Sequence, residues 1–141
     1  MRYDGKVLLE TTQFEGLFQL DRLDRGQRTK YEPGTDTDLK SFFPLKSGQR
    51  VRAKFISEAE GRYGRLYVEL DVKAAEELSI GPCKYAVLRI DRSQSHSAAP
   101  PRFIYTEFYA PDLKLILARE YRKADGRREL IKFDRIYTMR K

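Results

Sequence analysis

The chain of 141 residues has no tryptophan, one cysteine and one histidine. Each shortage removes a class of chemistry. Cys83 alone cannot close an intrachain disulfide or build a four-cysteine or mixed zinc site. In Ile80-Gly81-Pro82-Cys83-Lys84-Tyr85 it reads as a half-buried residue at a strand entry. His96 sits in Ser93-Gln94-Ser95-His96-Ser97-Ala98-Ala99-Pro100-Pro101, the composition of a solvated loop. With no second histidine and no nearby carboxylate at a suggestive spacing, it is not expected to be a metal ligand or a general base. No apolar run approaches the roughly 18 residues of a membrane-spanning helix. Phosphate loop, dinucleotide fingerprint and nucleophile elbow are all missing. Carboxylates are plentiful but stand singly on polar strand faces. The expectation is a protein that is not an enzyme, with no cofactor and no metal.

Helical periodicity is scarce too. The best stretch, Val72-Lys73-Ala74-Ala75-Glu76-Glu77-Leu78, predicts at most two turns. Strand signals take its place. Val51, Ala53 and Phe55 alternate with Arg50, Arg52 and Lys54, the period of a strand with one buried face. After a turn at Gly61 and Gly64, Leu66, Val68, Leu70 and Val72 alternate with Tyr67, Glu69 and Asp71. The two runs predict a hairpin with opposite charges across its outer face. Further strands are expected over 6–12, 14–23, 27–31, 85–92, 102–109, 115–122 and 129–137. Asp125-Gly126 predicts a tight turn before the last of them. Between strands, 32–47 is the longest irregular stretch. Its apolar knot of Phe42, Phe43 and Leu45 is expected to tuck into the core or cover an open edge. The fold class that follows is all-β: an antiparallel meander of about nine or ten strands, curved into a sandwich or half-open barrel. The length is that of a single β domain, 1–141.

Charged residues make up 35% of the chain, against about 25% in an average protein. The net charge is +7, and its placement is uneven. Residues 113–141 hold ten Lys/Arg and four Asp/Glu, hence +6; residues 1–112 hold eighteen and seventeen, hence +1. A basic hairpin of this kind suits phosphate in nucleic acid or lipid headgroups, with Arg119, Arg122, Arg127 and Arg128 as the anion-binding candidates. It equally suits a solvated face whose cations are matched by Glu120, Asp125, Glu129 and Asp134 and which guards a sheet edge.

Two turn motifs carry a resemblance. Phe43-Pro44-Leu45-Lys46-Ser47-Gly48 precedes a strand pair, and Tyr109-Ala110-Pro111-Asp112-Leu113-Lys114-Leu115 joins two later strands. With Asp4-Gly5-Lys6-Val7 near the start, this order resembles a group of small β-rich proteobacterial exported proteins of uncharacterised function. Phe108 stands where that pattern often has tryptophan. The resemblance implies an antiparallel β domain of the periplasm or envelope and implies no catalytic residue. No signal peptide opens the chain, so the expected compartment is either the cytosol or, with an export signal already removed, the periplasm.

The first functional expectation is a non-catalytic envelope domain whose concave face binds an apolar ligand or a protein partner. Eight phenylalanines and nine tyrosines supply the aromatic surface for it. Phe18, Phe55, Leu70, Leu88, Tyr105 and Phe108 are the residues placed in that lining. The alternative is nucleic-acid or anionic-surface binding through 113–141.

Overall fold

The computed structural model describes residues 2–3, 6–7, 9–97 and 99–132. Two short strands, β1 (Arg2–Tyr3) and β2 (Lys6–Val7), pair with each other. Nine more form one antiparallel sheet: β3 (Leu9–Phe14), β4 (Phe18–Asp24), β5 (Gln27–Pro33), β6 (Arg50–Ala59), β7 (Arg62–Ile80), β8 (Cys83–Ser95), β9 (Arg102–Ala110), β10 (Leu115–Arg122) and β11 (Arg128–Lys132). Their spatial order is their chain order, a pure meander whose two edges are β3 and β11. The sheet curls without closing. Of the described residues only Leu39–Phe42 is helical, as one 3-10 turn.

The β6–β7 alternation makes the floor of the concave face. Phe55 pairs with Leu66, Ala53 with Val68 and Val51 with Leu70, all in cross-strand register. Leu88 and Ile90 of β8 and Tyr109 of β9 continue the same face into one core. The irregular stretch folds over it. Leu39 and Leu45 are buried, and Phe42 and Phe43 pack against Phe18 with ring centroids 6.1 Å apart in both cases. Phe18 also meets Phe55 at 6.0 Å, so it is the hub of the aromatic cluster. The apolar knot therefore fills the concavity.

The curl is fastened by the β3–β4 turn. Gly16 adopts φ +71°, and a Cβ there would overlap the carbonyl oxygen of Lys114 in the β9–β10 turn. Beside it, the Tyr109 hydroxyl donates to the Glu15 carbonyl at 2.6 Å, and Lys114 Nζ lies 3.4 Å from Glu15. The sequence pattern predicts one strand over 14–23. The turn at Glu15–Leu17 divides that run, because only there can the chain approach Lys114 so closely.

Residues 72–78, the best helical candidate in the sequence at no more than two turns, are extended. These residues are the middle of β7, which runs on for 19 residues. A bulge between Val72 and Ala74 shifts the alternation by one, and Ala75, Glu77 and Leu78 pair with Leu88, Ala86 and Tyr85. Ladder hydrogen bonds with β8 outweigh a weak helical preference. Beyond the bulge, the hairpin packs a smaller core on the opposite face of the sheet. Leu78 and Val87 meet Phe108, Ala110, Leu117 and Ala118 there. Lys132 Nζ secures the arrangement from β11 by donating to the Ser79 carbonyl at 3.0 Å.

The Asp125-Gly126 turn joins β10 to β11 through a wider loop than a two-residue turn, closed by Lys123 N–H donating to the Arg127 carbonyl at 2.7 Å. The remainder of the expected last strand, 133–137, lies outside the described residues, as do Asp134, Arg135, Arg140 and Lys141.

Candidate functional site

Two clefts, one on each face of the sheet, bear on function. The first is a cleft of about 120 Å³ at the mouth of the concave face. Its base is ionic. Arg92 on β8 is 7% exposed and Glu107 on β9 is 0% exposed. Their alternation explains this: Arg92 shares a face with Leu88 and Ile90, and Glu107 with Tyr105 and Tyr109. Arg92 Nε donates to one Glu107 oxygen, and its Nη2 donates to the Leu17 carbonyl at 2.7 Å. Arg119, opposite Glu107 on β10, reaches the other carboxylate oxygen with Nε at 3.4 Å. Both oxygens of the buried carboxylate are thus matched, the condition under which a buried charge is tolerated.

The walls are aromatic. The Arg119 guanidinium lies 4.8 Å from the Tyr105 ring centroid, and Tyr105 meets Tyr121 edge-on at 5.5 Å. Burial, then the charge of Glu107, pushes the Tyr105 phenol above its usual range. For Arg119, burial works against the cation, but Tyr105, Glu107 and Tyr121 outweigh it and the net shift is upward. Arg119 stays charged at every physiological pH.

Of the residues placed in a concave lining by sequence, Phe18, Phe55 and Tyr105 border this cleft. Leu70 and Leu88 lie deeper, in the packed core. Phe108 faces the other side of the sheet, under the Arg89 guanidinium at 4.9 Å. The four arginines of the C-terminal hairpin do not converge. Arg119 points into the cleft, Arg122 stacks on Phe103 at 4.1 Å, Arg127 pairs with Asp125 at 3.1 Å and Arg128 with Glu120 at 3.4 Å. Sequence reasoning misses Arg92 and Glu107. Their signal is two charges at apolar parity on neighbouring strands.

The second place is a groove of about 590 Å³ on the convex face of β6–β7. The ladder supplies its floor, since Lys54 pairs with Tyr67 and Arg52 with Glu69. Pro100 and Pro101 form one bank, and Asp36 and Thr37 the other. A continuation of about 280 Å³ shares Asp36, Lys54 and Tyr67 and runs on to Ile56 and Arg65. Ion pairs rim the groove: Lys54–Asp36 at 3.4 Å and Arg52–Glu69 at 3.5 Å. Further along, Lys73 and then Arg50 hold the Asp71 carboxyl below its usual range.

Cys83 is exposed at the start of β8, not half-buried, and His96 is exposed in a bend. Among the described residues no cluster of His, Cys, Asp and Glu is placed to hold a metal ion. No described helix is long and apolar enough to cross a membrane.

No protein-family model matches the chain, and no curated protein matches it. Among solved structures, the crystal structure of the hypothetical lipoprotein YmcC from Escherichia coli (K12) is similar, with a TM-score of 0.49 and 12% identity. The match covers 78% of this chain and 60% of that one.

Proposed function

We propose that this chain is a non-catalytic binding domain that takes an extended segment of a protein partner along the convex face of β6–β7. The observation that carries the reading is where the free space lies. The concave face is filled by its own knot and keeps about 120 Å³ of polar cleft, whereas the convex groove offers about 590 Å³ and continues further. Pockets for small apolar molecules are enclosed and span roughly 300–1,000 Å³. This groove is open, long and lined by both charge signs, which suits a peptide laid along it. Its rim ion pairs are solvent-exposed and so individually weak, about 0–1 kcal/mol. An incoming charged segment can re-partner them at little cost. The turn motifs support a place in the cell envelope, which fractionation of the producing cell tests.

The test is a displayed library of random peptides panned on the protein. Enriched peptides are expected to bind the wild type and to bind a Tyr67→Ala/Lys54→Glu variant about tenfold or more weakly. Enriched peptides that bind both alike contradict the proposal.

A further inference from the structure

The concave cleft carries more positive charge and more donors than its own residues use. Arg92 and Glu107 neutralise each other at its base, and Arg119 adds a second cation to the same carboxylate. The lining holds no other charged residue, so its net charge is +1. Gln13, Gln19 and Gln94 also belong to the lining. No hydrogen bond joins these carboxamides to another described side chain. A carboxamide has two donors to offer, and a guanidinium has five.

We infer that the cleft is a carboxylate-binding site, with Arg119 as the charged partner and the three glutamines as neutral donors. Size supports one carboxylate. About 120 Å³ has room for that group and a water or two, a water's share of liquid volume being roughly 30 Å³. Charge supports the same choice. A monoanion brings the lining to neutrality, while a doubly charged phosphate leaves an excess negative charge beside buried Glu107. Phe18, Phe55 and Tyr105 border the space beside the buried Arg92–Glu107 pair, and a charge-assisted hydrogen bond formed there is stronger than a neutral one. Whether the carboxylate belongs to a free metabolite or to a polypeptide side chain, the recognising chemistry is the same.

The experiment is a nuclear magnetic resonance titration of the folded protein with sodium acetate, ionic strength being held with sodium chloride. The side-chain amides of Gln13, Gln19 and Gln94 and the Nε–H of Arg119 are expected to move together along one saturating curve. Arg119→Met is expected to weaken that curve about tenfold or more. Gln94→Glu places a carboxylate inside the cleft and is expected to abolish the response, which keeps the test decisive if Arg119→Met does not fold. Linear or absent shifts overturn the proposal, and so does an unchanged curve in either variant. Inorganic phosphate is the second probe; if it binds more tightly than acetate, the carboxylate assignment is wrong. A glutamate-containing peptide that saturates the same resonances at lower concentration than acetate supports the site and identifies a polypeptide source. An equal or weaker response to that peptide, with acetate still saturating, supports the site and identifies a free metabolite.

Discussion

Arg92 donates from Nη2 to the backbone carbonyl of Leu17 at 2.7 Å, joining residues 75 positions apart. This bond links the middle of the meander to its first long hairpin. It makes the curl of the sheet depend on a side chain that also neutralises Glu107. Removing Arg92 leaves that carboxylate buried with Arg119 alone, and strands the Leu17 carbonyl. Arg92→Met is expected to cost about 3–5 kcal/mol in denaturant unfolding. Arg92→Met combined with Glu107→Leu is expected to recover part of the loss, because the uncompensated charge goes with its partner. Equal losses in the single and double variants would show that the pair is not coupled.

Gly16 fastens the same closure by the absence of a side chain. Gly16→Ala drives a methyl group into the Lys114 carbonyl while holding φ at +71°. The expected cost is about 1–3 kcal/mol for the overlap, with the left-handed backbone adding to it. Gly26→Ala is the control. Its φ is +83° and nothing lies within 4 Å of a Cβ there, so it should cost only the backbone penalty of about 1 kcal/mol. Thermal unfolding of the two variants side by side separates close approach from conformation.

Tyr109 gives the fold a dependence on alkaline pH. Burial, then the charge of Glu15, pushes its phenol from 10.0 up to about 12. A phenol whose pKa is raised by folding stays protonated longer in the native state. Its contribution is therefore complete below pH 10 and is lost as pH rises from 10 through 12. Each tenfold change in proton affinity is worth about 1.4 kcal/mol. The resulting contribution is on the order of 2–3 kcal/mol. The difference in unfolding free energy between wild type and Tyr109→Phe is expected to shrink across that window. A difference that stays constant would contradict the assignment.

Phe108 tests the smaller core on the back of the sheet. Phe108→Ala is expected to cost about 3–5 kcal/mol by cavity formation. Because Leu78 and Val87 rest on that ring, amide exchange should quicken most over Leu78–Val87 and least over Val51–Phe55. Uniform quickening would mean that the two cores unfold as one.

The sheet itself was legible because β6 and β7 alternate cleanly, and because Phe42, Phe43 and Leu45 are too apolar for an exposed loop. The weak helical periodicity over 72–78, at most two turns, was a misleading local signal. One bulge at Lys73 reverses the alternation, and no residue type marks that position. Gly16 was visible but indistinguishable from an ordinary strand glycine until Lys114 met it across the fold. Arg92 and Glu107 were readable by parity, yet charge suggested the wet face, and only the third charged group, Arg119, makes their burial sensible. The groove joins loops 36–37 and 99–101 with the β6–β7 ladder, loops some sixty residues apart in the chain. Nothing local in any of them announces it.

The most direct test of the account is site-specific photo-crosslinking in the producing cell, with benzoylphenylalanine at position 67 or 63. Tyr67 lies in the convex groove; Tyr63 is 77% exposed on the same strand, outside it. Position 67 is expected to trap one discrete protein adduct that position 63 does not. The same products from both positions, or none from position 67, would contradict partner binding in the groove.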